Sequence, residues 1–205
     1  MTTYRNIHGR SIKSVSTDPT AEVTEGEIWY NTNSETFKSV LVSEAFSSSA
    51  PLATGRAQGS GAGTQTAALF VGGRIGPPGD TTEEFNGSAW SAQEGFSTAR
   101  RSGASFGLET AAVLAGGSTG PAVTTATEEY NGEAWTGGGA LSQARQYFAG
   151  TGIESAGLAF GGSSNPNTTI YTNTEEYDGS SWTSGGALPA SRSMMFSWGT
   201  QTAGA

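Results

Sequence analysis

EEFNGSAW (83–90), EEYNGEAW (128–135) and EEYDGSSW (175–182) are three versions of one stretch, and each sits inside a longer repeated unit. Trp90, Trp135 and Trp182 lie 45 and 47 residues apart. The arginines that open successive units, Arg56, Arg100, Arg145 and Arg192, lie 44, 45 and 47 apart. Each of the first three is followed by a run of small residues and then by an apolar segment that ends in Gly-Gly, at 72–73, 116–117 and 161–162. A period of roughly 40–50 residues predicts an array of like structural units.

Residues 100–144 show what one unit holds. RRSGASFGLE and TAAVLAGG predict a first and a second strand, the second stopped by the glycines. After the loop STGPAVTT, the segments ATEEY and EAWTGG flank Asn131-Gly132. Asn-Gly between apolar-alternating runs predicts a tight hairpin with positive φ at both central residues. The same signal recurs at Asn86-Gly87 and, as Asp-Gly, at Asp178-Gly179. Four short strands in about 45 residues fit one antiparallel blade. No window carries sustained helical spacing, and glycine is too frequent for helix interiors.

Composition supports a packed β-structure. Apolar residues make up only 35% of the 205 and glycine contributes 31, but charged residues are 14% and aromatics 10%, unlike a solvated coil. With no cysteine, disulfides, thiolate metal sites and a cysteine nucleophile are excluded. The opening MTTYRNIHGRSIKS has no apolar signal region, so the chain is expected to be made in the cytoplasm and stay soluble or leave within a larger particle. Net charge is −8, yet residues 1–17 carry Arg5, His8, Arg10 and Lys13 and Asp and Glu are absent from them. Residues 1–19 are therefore read as a basic arm that docks on an acidic neighbour. The acidic remainder disfavours nucleic acid as a partner.

Gly-Gly after the second strand, Phe85, Tyr130 or Tyr177 on the third, Trp on the fourth and Arg at the next start resemble the kelch repeat. The resemblance covers residues 56–205 and implies a β-propeller. The short, Thr/Gly-rich units look most like those of tail-associated and fibre-like virion proteins of bacteriophages, and GEIWYNTNSETFKSVLVSEAF resembles openings seen in such proteins. Repeats fall near 56–99, 100–144 and 145–191. Residues 27–37 read as a third and fourth strand, with Tyr30-Asn31 at the place of Tyr130-Asn131 and Phe37 in place of Trp, whereas RSMMFSWGTQTAGA reads as first and second strands. The expected fold is thus all-β, a small kelch-like β-propeller over 20–205. Its fourth blade is a composite of residues 20–55 and 192–205, closed within the chain or between subunits.

The recurrent acids, among them Glu84, Glu129 and Glu176, are read with Arg56, Arg100, Arg145 and Arg192 and with Trp90, Trp135 and Trp182 as scaffold. Neighbouring residues on a strand point to opposite faces, so no pair converges on a substrate as glycosidase carboxylates do. The single histidine is His8, in the arm, which leaves the repeats without an imidazole base or metal ligand. No catalytic residue, metal or cofactor is expected. Recognition is assigned to the unlike loops 74–80, 118–125 and 163–172, through Arg74, Asp80, Asn165, Asn167 and Tyr171. The expected function is a non-enzymatic virion protein of a tail, fibre or baseplate, a homo-oligomer that contacts other virion proteins or a host-surface glycan. A free lectin-like or adaptor propeller is the alternative, and a tail-associated glycan hydrolase a third.

Overall fold

The structure, a computed structural model, describes residues 13–17, 28–39 and 49–203. It comprises two compact units, Met1–Ser48 and Ser49–Ala205. The chain is all-β and propeller-like, with no α-helix among the described residues.

In the first unit β2 (Ile28–Asn31) and β3 (Thr36–Ser39) form an antiparallel hairpin, and β1 (Lys13–Val15) lies parallel on the other edge of β2. Tyr30 pairs with Phe37, ring centroids 5.1 Å apart, as the Tyr–Trp pairs of the repeats do. Lys13, within the arm read from the sequence, opens β1. Arg5, His8 and Arg10 lie outside the described residues.

The second unit holds three four-stranded antiparallel sheets. Sheet one is β4 (Ser60–Gly63), β5 (Ala68–Val71), β6 (Thr82–Phe85) and β7 (Trp90–Gln93). Sheet two is β8 (Ala104–Leu108), β9 (Ala111–Ala115), β10 (Thr127–Tyr130) and β11 (Trp135–Gly137). Sheet three is β12 (Ala149–Ile153), β13 (Ala156–Phe160), β14 (Thr174–Tyr177) and β15 (Trp182–Ser184). First strands stand side by side, β4 against β8 and β8 against β12.

The hairpin turns differ from the expected two-residue type. Phe85 pairs with Trp90, Tyr130 with Trp135 and Tyr177 with Trp182, so four residues connect the strands. Positive φ is confined to the glycine, as at Gly87 (91°). The preceding Asn or Asp instead accepts backbone N–H groups: Asn131 Oδ1 from Glu133 and Ala134 at 2.9 Å, Asp178 Oδ1 from Ser180 and Ser181 at 2.9 and 2.8 Å. These donors hold the Asp178 carboxyl down at about 2. The side chain acts as an Asx turn, which needs no strained backbone of its own.

Residues 192–203, read from the sequence as first and second strands, contain no strand, only a 3-10 turn at Gln201–Ala203. The C-terminal segment lacks the Gly-Gly stop, and it runs along sheet three. Met194 N–H donates to Tyr147 O (2.8 Å) and Ser197 Oγ to Gly150 O (2.8 Å).

Apolar side chains fill the spaces between neighbouring sheets. Leu69, Val71 and Phe96 meet Leu114 and Tyr130 between sheets one and two. Ala104 and Ala115 meet Phe148 and Ala159 between two and three. Phe106 packs over Gly157, where an added Cβ would come within 2.3 Å of its ring, so only glycine fits.

Each Glu-Glu pair splits between two tasks, because adjacent residues face opposite ways. The first acid turns to an arginine of its own repeat: Arg56–Glu83, Arg100–Glu128 (2.6 Å) and Arg145–Glu175 (2.7 Å), all buried. The second acid accepts a tyrosine hydroxyl from the next sheet, Tyr130 on Glu84 (2.7 Å) and Tyr177 on Glu129. The other oxygen of each first acid takes a backbone N–H, from Ala53, Ser97 or Ser142. Burial pulls the Arg100 and Arg145 guanidinium groups down from their ordinary value, and the facing glutamates partly offset it. Both still stay charged, since an arginine starts so high. Each of the three arginines also stacks on an aromatic ring at 4.8–5.1 Å. Arg192 departs from this pattern: it is exposed, and among the described residues its guanidinium meets only Ser191 O.

Removing one member of a buried ion pair strands the other, at a cost of about 3–5 kcal/mol. Arg145→Ala should lose that much in chemical denaturation, whereas Arg192→Ala should stay within about 0.5 kcal/mol of the parent. Equal losses would contradict the assignment of the pair as buried scaffold.

Burial, then the adjoining Glu84 and Glu129 carboxylates, raise the Tyr130 and Tyr177 phenols well above their ordinary value. A raised folded-state value favours the protonated form. The resulting stability is complete below the unfolded value of about 10 and declines as pH rises beyond it. In an ultraviolet titration, two of the six tyrosines should resist ionisation until the protein unfolds. Six tyrosines that all ionise near pH 10 with the fold intact would exclude these contacts.

Candidate binding surface

Antiparallel order places the loops between second and third strands at one end of the three sheets and the hairpin turns at the other. The loop end carries residues 74–80, 118–125 and 163–172, the segments expected to recognise a partner. They adjoin one another. A Cβ added to Gly120 would sit 3.7 Å from Pro78, and Asn165 Nδ2 donates to Gly120 O (3.1 Å) and Pro121 O (3.2 Å). Each loop starts from the Gly-Gly step, whose second glycine ties it to the next repeat: Gly73 N–H to Arg100 O, Gly117 to Arg145 O, Gly162 to Arg192 O. At Gly73 (φ 95°) a Cβ would meet Ala57 O at 2.8 Å, so both backbone and space require glycine.

The five residues expected to bind take different parts. Arg74 and Asp80 are exposed on the first loop. Tyr171 is half-buried on the third, with its N–H on Gly162 O (2.8 Å). The two asparagines are largely spent inside the loops. Asn165 bridges to the second loop, and Asn167 Oδ1 accepts from Ser163 Oγ (2.7 Å) and Gln146 Nε2 (3.0 Å). Asn167 also has φ 56°, a left-handed conformation that asparagine tolerates better than most residues. It is a loop brace, and its loss should not leave the fold untouched.

Two side chains that the sequence reading passed over organise this end. Gln58, Ser102, Tyr147 and Met194 stand two residues after the successive arginines, all at positive φ (62°, 56°, 55°, 57°). Their backbones form a ladder: Ser102 N–H to Gln58 O, Tyr147 to Ser102 O, Met194 to Tyr147 O. Arg74 Nε donates to Gln58 Oε1 (2.9 Å), and Gln58 Nε2 donates to Tyr147 Oη (2.7 Å). Comparing the residue two places after each Arg would have flagged the column, because four different side chains occur there.

Charge is divided between the two ends. Glu109, Glu133, Glu154 and Asp178 lie on the hairpin turns, where no base accompanies them. Arginine supplies all six basic side chains of Ser49–Ala205. Three are in the buried pairs, and the others, Arg74, Arg101 and Arg192, lie toward the loop end with Asp80 and Glu94. Beside the first loop is an open cleft of about 270 Å³, lined by Thr54, Arg56, Arg74, Ile75, Pro78 and Thr81 among others. No group of three His, Cys, Asp or Glu able to hold a metal ion occurs among the described residues.

No protein-family profile and no curated protein matches the chain. Among solved structures it is similar to the structure of YjhT, with a TM-score of 0.54 and 15% sequence identity over 78% of this chain. The match spans about half of that protein, 51% of its length. At this identity the likeness is one of fold.

Proposed function

We propose that the chain is a non-enzymatic structural protein of a bacteriophage virion, part of a tail, fibre or baseplate. Its loop end would present a binding surface to another virion protein or to a host-surface glycan. The observation that carries this reading is the contrast between the two parts of each repeat. Apart from Arg192 and Glu176, the charged groups that recur identically are consumed in buried ion pairs and tyrosine contacts, while the loops joined into one surface differ in length and chemistry. Recurrent groups of that kind build a scaffold, and unlike loops on a rigid scaffold are suited to recognition. The virion placement is supported by the likeness of the repeats to kelch-like tail and fibre proteins.

Closure of the ring into four blades, with the hairpin β2–β3 in the fourth, belongs to the same proposal. Tyr30-Asn31 has the repeat position of Tyr130-Asn131, and Asn31 Oδ1 makes the same turn, accepting from Asn33 and Ser34. Glu176, alone of the second glutamates, is exposed and has no tyrosine hydroxyl upon it among the described residues. Phe85, which lacks a hydroxyl, follows a repeat with Trp29 where the others have glutamate.

Binding of the purified chain to virion proteins and to host cells tests the reading. Tyr171→Ala should weaken attachment and leave the melting curve nearly unchanged, whereas Asn167→Ala should lower the melting temperature. Attachment that survives Tyr171→Ala and vanishes on removal of residues 1–17 would move the interaction to the arm. Turnover of host polysaccharide would replace the structural role with a hydrolytic one.

A further inference from the structure

Arg74 is built into its loop more firmly than an exposed arginine needs to be. Its backbone bridges Ala57 on one side and Pro78 on the other, and Gly79 N–H closes the loop on Gly73 O (2.8 Å). Its Nε is held by Gln58, which is itself held by Tyr147. The side chain therefore has a set direction while its terminal Nη1 and Nη2 groups have no hydrogen-bond partner among the described residues. Arg56, the other cation at the cleft, is neutralised by Glu83. Arg74 thus offers the cleft a cation whose terminal groups are open.

The rest of the lining suits a small ring with both polar and apolar faces. Ile75, 72% exposed, stands with Pro77 and Pro78 as an apolar wall, and Thr54 and Thr81 add hydroxyls to the lining. A volume of about 270 Å³ is near the lower bound for small-molecule sites, which suits one sugar ring. Guanidinium geometry matches a carboxylate through two parallel hydrogen bonds.

We propose that this cleft binds an acidic monosaccharide unit, its carboxylate on Arg74 Nη1 and Nη2 and its C–H face on Ile75 and the prolines. The inference deepens the glycan reading above and rests on it only for the biological source of the sugar. It is tested on the full chain by calorimetric titration with glucuronate, with glucose as the neutral control. Glucuronate should bind and glucose should bind at least about tenfold more weakly, and Arg74→Ala should remove most of that difference. Arg74→Lys keeps the charge but loses the paired geometry, and should fall between parent and Ala. Added salt should weaken glucuronate binding and leave the melting temperature nearly constant. Equal affinity for the two sugars, no binding of either, or full affinity in Arg74→Ala would overturn the proposal. Host attachment that persists alongside any of those outcomes would leave the loop-surface function standing and dispose of the acidic-sugar site alone.

Discussion

The buried arginine–glutamate pair is the constraint around which each repeat is arranged. A guanidinium taken out of water needs its charge matched, and the partners that meet its terminal nitrogens fix several segments at once. Arg145 reaches Glu175 on β14 and also Gly161 O and Asn173 O, thereby gathering the end of the second strand, the loop and the third strand about one side chain. Glu175 in return takes Ser142 N–H from the connection between sheets two and three. A hydrophobic replacement of equal volume could match the burial, but would leave those backbone groups unpaired. The pair is a device for geometry more than for net stability.

The Glu-Glu dipeptide shows how much arrangement a strand draws from adjacency alone. One carboxylate looks into its own repeat and the other toward the neighbour, so two consecutive letters supply both the internal clamp and the link between sheets. The tryptophans complete the link: Trp135 Nε1 donates to Thr82 Oγ1 and Trp182 Nε1 to Thr127 Oγ1, both at 2.9 Å. Tyrosine and tryptophan are suited to the task because each buries a large apolar body and ends in a polar group that needs a partner.

The repeat period, the four strands per unit, the glycine stops and the arginine–acid scaffold were legible in the sequence because they recur, and recurrence separates signal from local noise. Which acid met the arginine was not legible, since EEY is symmetrical until the strand's facing is known. The turn type was misread because Asn-Gly supports both a two-residue hairpin and an Asx turn, and the choice lay in the Phe85–Trp90 register. The parallel pairing of β1 had no signal in KSV, whose partner is remote in sequence. At the candidate site, Arg74 and Tyr171 could be picked as unlike residues in loops. Gln58 and Tyr147 could not be picked so easily, because they follow the arginines in a run read as mere spacing. Asn167 misled for the opposite reason: an exposed loop amide looked free, while its oxygen was already shared by Ser163 and Gln146.

The ladder through Gln58, Ser102, Tyr147 and Met194 has a consequence for how the unit comes apart. Within Ser49–Ala205 each sheet packs on the next in sequence, so the array couples its elements as a one-dimensional chain does. Sheet two is flanked on both sides, and the first strand of each of the later sheets is buried at positions where β4 is half-open. The amides of β9 and β10, in the sheet flanked by two others of the unit, should therefore exchange with solvent last. The loop end inherits that difference: the first loop is mounted on the sheet whose first strand is half-open, and the second on the one that holds longest.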